Sequence, residues 1–441
     1  MKHKKIRRAA AVLTFFLLWA GLEFCVRCFT EPFEQAWPMI REDRLAAEGS
    51  IETAFVGASL FRNGIIPRVF DEALGGRSFN YGTSSQSMEL TYYALQDLAE
   101  TNPLRLALID ISVNRLMSDG DDGVSVAKHV VLSHMVNPNA QWMLIRDCFP
   151  LDELALTVLH SARDQLHFMQ GTLRQRLKPS YLGEYLKHGY MPNAKYPVGS
   201  MGYTPSYGAN LDGGVPMAVN AAIPGDAEAS TDCAQLERTI RFCREKGITP
   251  VLISMPTTDA YLLNCKRYEA LLAPVRDLAV REGILLLDFN LSRFRVSSLT
   301  AANFTDARHL NSSGAELFTP LFSEVVQKAL TGEDVSGYFY NSYDEMVRDI
   351  ECVASVRCEV VKTGDGLMLE AESLHGPNVV PVYRYFIREK GRQDYEPLMS
   401  KDGRCDLDSL EPGTYEVRVE ASGASGSGPD VYAETTVTIK Q

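Results

Sequence analysis

Two short stretches carry residues whose types and spacing suit nucleophilic catalysis. The first is an apolar run, Thr53–Leu60, which contains Ser59 just before its end. The second contains Asp306 and His309, three positions apart. In a turn, this spacing lets a carboxylate reach one imidazole nitrogen while the other nitrogen faces a nucleophile. A hydroxyl, an imidazole and a carboxylate are the parts of a Ser-His-Asp triad, so we expect attack on an ester or similar carbonyl.

Each stretch also has an ordinary interpretation. A serine after a strand often caps a helix, and Asp306 could cap the next helix with His309 at the surface. Phe61 stands where the α/β-hydrolase elbow has its second glycine, so that elbow is absent. The catalytic interpretation is favoured because Ser59 follows a strand and precedes a helix start, where backbone N–H groups can stabilise an oxyanion. The chain has only eight histidines, and one of them stands in the second stretch.

Strand-like and helix-like segments alternate between residues 51 and 335, the range that we assign to a catalytic domain. Repeated βα units predict a three-layer α/β/α fold, in which helices cover both faces of a parallel sheet. Pro274 is expected to kink one helix, and Pro320 to break or restart the last one. The alternation fails at 118–230, where much of the chain is rich in Gly, Pro, Tyr and Asn. We expect an insertion that roofs the active site, with a plain surface excursion as the alternative.

The pattern changes to period two from about residue 350. Apolar and polar residues alternate, and Pro412-Gly413 marks a turn between two of the alternating runs. Short alternating strands between turns predict an immunoglobulin-like, all-β sandwich over residues 350–441. We interpret residues 331–349 as a linker. The sandwich has no reactive cluster, so we expect a binding or spacing module.

The amino terminus has the features of a membrane anchor. Five Lys and Arg residues in the first eight positions precede the uncharged run 9–22. We interpret residues 1–30 as a cytoplasmic tail with a transmembrane helix, and 31–50 as a charged connector. A cleaved signal peptide is the alternative. In both cases the positive-inside rule predicts an extracytoplasmic body, and the uncleaved anchor makes the chain a single-pass membrane protein.

Composition excludes some classes of function. The net charge of the 441 residues is −12 even with the basic amino terminus included, which argues against a nucleic-acid partner. The nine cysteines are scattered, and Cys25 and Cys28 have no second pair or histidine cluster, so no metal site and no cofactor are predicted. A disulfide between Cys352 and Cys358 is left open by the sequence.

Residues 51–330 resemble the SGNH/GDSL hydrolase superfamily. The likeness is strongest in the block Gly57–Leu60 and in the block Asp306–His309. Gly82, in Asn-Tyr-Gly, is similar to the glycine of the second family block, and Asn114 to the asparagine of the third. The resemblance implies that Ser59 is the nucleophile, His309 the base and Asp306 its orienting partner. It also implies an oxyanion hole made by the amides of Ser59 and Gly82 and the side chain of Asn114.

The sequence departs from the family pattern at three positions. Ala58 stands in place of the aspartate of the first block, and Ser112 and Arg115 replace a glycine and an aspartate of the third. An anchored domain of this type is similar to the extracytoplasmic partners of multi-span membrane O-acyltransferases, such as the D-alanyl-lipoteichoic-acid-transfer and alginate-acetylation proteins. This resemblance implies a serine O-acyltransferase or esterase that acts on acyl esters of a cell-envelope glycan. A plain carbohydrate esterase and a non-catalytic envelope scaffold are the alternatives.

Overall fold

The computed structural model of the chain describes residues 2–30, 36–112, 124–151, 173–207, 211, 233–265, 267–363, 366–400, 403–423 and 430–439. Helices α1 to α7 are Lys2–Thr30, Trp37–Ala46, Ser59–Gly64, Pro67–Leu74, Met88–Ala99, Val124–His134 and Pro138–Cys148. Helices α8 to α15 are Leu173–Arg176, Pro179–His188, Ala234–Glu245, Asp259–Asn264, Tyr268–Glu282, Arg293–Ser298, Ser312–Thr331 and Tyr343–Arg348. Strands β1 to β5 are Thr53–Gly57, Ser78–Gly82, Leu106–Asp110, Thr249–Ser254 and Leu285–Asp288.

Strands β1 to β5 form a parallel sheet in the order β2-β1-β3-β4-β5. β2 and β3 lie on opposite sides of β1, with Gly57 beside Gly82 and Val56 beside Ile109. In open parallel sheets, ligands bind at the carboxyl ends of the strands where the strand order diverges in this way. Ser59 follows β1 directly at that point. The expected parallel α/β sheet is confirmed.

Alternate residues of β1 face opposite layers of helices. Ala54 and Val56 pack into a core that includes α5, α6, α7, α10 and α12. Phe55 packs on the other face, with its ring centroid 4.9 Å from that of Phe70 in α4 and 6.2 Å from that of Phe322 in α14. Because helices cover both faces, the strands are apolar on both sides and read as continuous apolar runs in the sequence.

Helices α12 and α14 run through Pro274 and Pro320 without interruption. In α14, Phe318 and Phe322 are fully buried, whereas Pro320 lies on the exposed face. The carbonyl that loses its hydrogen bond belongs to Glu316, an exposed residue, so water can reach it. The prediction of a helix break at Pro320 is therefore wrong, because packing of the apolar face outweighs one lost hydrogen bond.

The stretch 31–50, which we expected to be a connector, contains a helix that packs on the α/β domain. In α2, Met39 and Ile40 lie in the core. Arg44 is 2% exposed, forms an ion pair with the fully buried Asp97 and donates to the Asp97 carbonyl at 2.8 Å. An ion pair this deeply buried is costly to break, so α2 is fixed to α5.

The carboxyl-terminal region is a sandwich of two antiparallel sheets. Strands β6 to β12 are Val353–Thr363, Gly366–His375, Val382–Glu389, Glu396–Leu398, Arg404–Asp406, Gly413–Ser422 and Val431–Ile439. The sheet orders are β10-β7-β6 and β12-β11-β8-β9. Tyr385, Val417 and Val419 are buried between the sheets, as the period-two pattern predicts.

The predicted linker packs against the α/β domain. Met346 of α15 and Ile350 are buried in the core of that domain. Cys352 lies beside it, with its Sγ 3.8 Å from a carboxylate oxygen of Asp259. Cys352 and Cys358 are both free thiols, so they are not joined.

Residues Ile6–Cys25 of α1 are long and apolar enough to cross a membrane, a property that an amino-terminal signal sequence shares. The carboxyl-terminal end of α1 contacts α8 and α9. The Cys28 carbonyl accepts hydrogen bonds from Arg176 at 3.2 Å and from the Tyr181 hydroxyl at 2.9 Å. The last carbonyls of a helix have no partner within it, and a guanidinium is well suited to cap them.

Candidate active site

The turn after β1 is fixed by the side chain of Asp110. Asp110 ends β3, is fully buried, and accepts hydrogen bonds from the backbone N–H of Ala58 at 3.1 Å and of Ser112 at 2.9 Å. Gly57 makes this approach possible, because a Cβ there would lie 2.3 Å from the Cβ of Asp110. The extended Ala58 then leads into α3, whose first residue is Ser59. The position of the serine thus depends on a carboxylate from the neighbouring strand.

A compact loop carries the other two residues of the predicted triad. The Asp306 carboxylate accepts hydrogen bonds from the backbone N–H of Arg308 at 2.8 Å and of His309 at 3.0 Å. The N–H of Thr305 donates to the His309 carbonyl at 2.8 Å, which closes the loop. Asn311 caps α14 by accepting from Gly314 N–H at 3.0 Å. The loop is therefore held from within and by the helix that follows it.

Ser59, His309 and Asp306 form a continuous chain of hydrogen bonds. Ser59 Oγ lies 2.7 Å from His309 Nε2, although the two residues are 250 positions apart. His309 Nδ1 lies 2.9 and 2.8 Å from the two carboxylate oxygens of Asp306. A carboxylate accepts the Nδ1 proton, which leaves the lone pair of Nε2 directed at the serine hydroxyl. This is the arrangement that activates a serine nucleophile.

The electrostatics of Asp306 favour its charged form. Burial by itself raises the pKa of the carboxyl. The hydrogen bond to His309, the charge of that imidazole and the two backbone N–H groups together outweigh burial and lower the pKa of Asp306 to about 2. Asp306 is therefore ionised at neutral pH. The His309 side chain is 20% exposed, so the triad is open to solvent on one side.

Gly82 lies against the turn that carries Ser59. A Cβ at Gly82 would lie 2.6 Å from Arg62 N and 2.8 Å from the Ala58 carbonyl oxygen. Its N–H donates to Asn80 Oδ1 at 3.1 Å. Within the described residues, the N–H of Ser59 has no hydrogen-bond acceptor. Asn114, the third residue of the predicted oxyanion hole, lies outside the described residues, so its role stays a prediction.

Two buried polar residues support the site and were not predicted from the sequence. Asp110 is described above. Asn80 is 1% exposed, and its amide nitrogen donates to the carbonyls of Phe61 at 2.7 Å and Ile65 at 3.0 Å, which ties β2 to the end of α3. In the sequence, each of them is a polar residue within an otherwise apolar strand. Several other positions share this pattern, so it does not single out these two.

The segment 196–207, part of the predicted insertion, borders the site. Asn80 N–H donates to the Met201 carbonyl at 2.8 Å, so the segment covers the edge strand β2. Thr204 N–H donates to the Arg62 carbonyl at 2.9 Å. Ser206 Oγ lies 2.8 Å from Thr305 Oγ1, next to the loop that carries Asp306 and His309. The segment therefore joins α3 to the histidine loop. The predicted roof also includes 118–123, 152–172 and most of 208–230, which lie outside the described residues.

No protein-family model matches the chain, and no curated protein matches it. Among solved structures, it is similar to a protein from Bacteroides fragilis described as a putative acylhydrolase. That match has 10% identity and a TM-score of 0.31, over 63% of this chain and 88% of the other. A second, to the carbohydrate acetylesterase Est24 from Sinorhizobium meliloti, has 11% identity and a TM-score of 0.27, over 64% and 99% of the two chains. Because these TM-scores are low, we assign chemistry from the geometry of this chain's own side chains.

Proposed function

We propose that this protein is a membrane-anchored, extracytoplasmic serine esterase or O-acyltransferase that acts on acyl esters of a cell-envelope glycan. The observation that carries the proposal is the hydrogen-bonded chain from Ser59 through His309 to Asp306. Ser59 follows the carboxyl end of β1, where open α/β folds place their ligand sites, and the loop before α14 brings His309 and Asp306 to it.

In the first half of the reaction, Ser59 Oγ attacks the ester carbonyl while His309 Nε2 takes the hydroxyl proton. The ionised Asp306 stabilises the imidazolium that forms. The tetrahedral oxyanion accepts hydrogen bonds from the Ser59 N–H and, by resemblance, from Gly82 and Asn114. The Gly82 N–H donates to Asn80 in the absence of substrate, so it must exchange this acceptor for the oxyanion. Collapse of the intermediate releases the alcohol, which takes the proton from His309.

In the second half, a new hydroxyl attacks the acyl-serine. His309 removes the proton from this hydroxyl, and Ser59 leaves with that proton restored to its oxygen. Water as the acceptor gives hydrolysis, whereas a sugar hydroxyl gives transfer. A transferase must exclude water from its acyl-enzyme, and the segment 196–207 beside the histidine loop supports this possibility.

The proposed anchor is α1, with the body outside the membrane. Its apolar span and the basic residues before it support this topology. The contact of Arg176 and Tyr181 with the end of α1 would hold the catalytic domain beside the bilayer, where a multi-span O-acyltransferase could deliver acyl groups. Protease added to intact cells should digest residues 51–441, and protection of this region would contradict the topology.

The central test compares wild-type protein with Ser59→Ala and with Ser298→Ala, a variant of an exposed serine whose hydroxyl lies 3.1 Å from that of Ser297. A fluorophosphonate probe should label the wild type and Ser298→Ala at Ser59, and should not label Ser59→Ala. Hydrolysis of a small acyl ester should fall by ~10⁴-fold or more in Ser59→Ala. Full activity of Ser59→Ala would refute the mechanism.

The same proteins distinguish transfer from hydrolysis. Envelope glycans are added to the acyl-enzyme, and the products are analysed by mass spectrometry. An acylated glycan that forms with wild-type protein and not with Ser59→Ala would establish transfer. Rapid release of free acid, unchanged by every glycan, would establish a plain esterase.

A further inference from the structure

Arg62 lies one helical turn after the nucleophile. Residues three apart on a helix lie side by side, so Arg62 and Ser59 share one face of α3. The Arg62 guanidinium donates to Ser84 Oγ at 2.7 Å, in the loop that follows Gly82. Arg62 is therefore next to both the serine and the loop of the predicted oxyanion hole.

Arg62 is half-buried, and among the described residues its guanidinium has no ion-pair partner of the kind that buried arginines have. Arg44 forms an ion pair with Asp97, and Arg295 forms one with Asp259. Arg62 forms no ion pair with any described residue, and its Nε is buried without a hydrogen bond. Burial lowers the pKa of the Arg62 side chain, since the charged form is poorly solvated there.

The Arg62 side chain is half-buried and its described side-chain partner is one neutral hydroxyl, so an anionic ligand would stabilise its partly desolvated charge. The planar guanidinium fork matches the two oxygens of a carboxylate or a phosphate. Among the described contacts, those that position Ser59 come from Asp110 and His309. The charge of Arg62 is therefore not needed to hold the serine in place.

We propose that Arg62 binds a carboxylate or phosphate group of the substrate beside the reacting ester, so that the substrate is an acyl ester of an anionic glycan. The step from a bound anion to a bound substrate rests on the proposed function. The anion site itself rests on Arg62 and can be tested without catalysis.

The first experiment measures binding in full-length Ser59→Ala protein in detergent, where no turnover occurs. Glucuronate, glucose and inorganic phosphate are titrated by calorimetry. We expect glucuronate or phosphate to bind and the uncharged glucose not to bind. Binding should be lost in Ser59→Ala/Arg62→Met and kept in Ser59→Ala/Arg68→Met, because Arg68 is exposed and paired with Glu72. Glucuronate binding would identify a uronic-acid glycan, and phosphate binding a phosphorylated one. Equal binding with and without Arg62, or no binding of either anion, would overturn the proposal.

The second experiment measures selectivity. The ratio of kcat/KM for an acetylated glucuronoside to that for the matched acetylated glucoside should fall about tenfold or more in Arg62→Met, since a charge-assisted pair is lost. For a phosphate site, the matched pair is an acetylated sugar phosphate and its dephosphorylated form. Arg62→Lys should retain part of this selectivity ratio, because lysine keeps the positive charge but lacks the paired N–H donors of the guanidinium.

Stability distinguishes binding from a structural role. If Arg62 serves a ligand, Arg62→Met should leave the Tm unchanged or raise it, because a half-buried charge without an ion-pair partner among the described residues is removed. A large drop in Tm, together with an unchanged selectivity ratio in Arg62→Lys, would overturn the proposal. If neither ester is hydrolysed by wild-type protein while glucuronate or phosphate still binds through Arg62, the proposed function fails and the anion site stands.

Discussion

We predict that Gly82→Ala lowers kcat/KM for a small neutral ester by about two orders of magnitude. A Cβ at this position would lie 2.6 Å from Arg62 N, 2.8 Å from Ala58 O and 3.0 Å from Arg62 Cα. All three are backbone atoms of the turn and helix that carry Ser59, so none can rotate away. Ordinary contact begins at 3.4 Å, so β2 and α3 must separate by roughly 0.8 Å.

The expected loss of kcat/KM follows from the size of this displacement. Misplacing a reacting group by ~1 Å can reduce a rate by ~10²-fold. The strain of the added methyl group costs about 1–3 kcal/mol of folding free energy. The variant keeps the Gly82 N–H, so the loss would come from the position of the serine and not from a missing donor.

The assay combines kcat/KM, the rate of fluorophosphonate labelling and the Tm. Gly337→Ala is the matched control, because nothing lies within 4 Å of its added Cβ; it should match the wild type in all three measurements. Wild-type kcat/KM in Gly82→Ala would refute the reasoning. A lower Tm with unchanged kcat/KM would mean that the strain is relieved away from Ser59.

Three further predictions follow from the charges and the packing. Asp306→Asn should reduce kcat by ~10⁴-fold, because the amide cannot hold the tautomer of His309 that accepts the serine proton; a reduction below tenfold would contradict this role. Burial, aided by the charges of Arg62 and Arg44, lowers the pKa of His134 from 6.5 to about 4. The unfolded chain then binds a proton that the folded chain excludes, so stability should fall as the pH drops from 6.5 towards 4, by up to about 3 kcal/mol. Urea unfolding should show a weaker pH dependence in His134→Gln, and an equal dependence would contradict the assignment. A chain that ends at Ile350 should keep its activity on a small ester, because it then lacks only Ala354 among the buried residues of the α/β core; inactivity of this chain in soluble, folded form would show that the sandwich completes the site.

The local elements of the fold could be predicted because side-chain periodicity is a local property. The continuous apolar runs of the parallel strands and the alternation of the sandwich strands each reflect which faces are buried. The turn after β1 and the loop with Asp306 and His309 were also visible, because each needs only a few adjacent residues. These patterns predicted the α/β sheet, the sandwich and the members of the triad. The meeting of Ser59 and His309, whose Oγ and Nε2 atoms lie 2.7 Å apart, depends on the packing of α14 against α3 and α4.

The sequence by itself thus determined which residues could do chemistry and which kinds of element carry them. Only the tertiary structure decided that Asp110 fixes the turn before Ser59, that Arg44 joins α2 to Asp97, and that α14 continues through Pro320. Each of these depends on groups far apart in the chain or on one face of a helix being buried. The free energy of such contacts comes from desolvation and complementarity at the place of contact, which no local pattern of residues encodes.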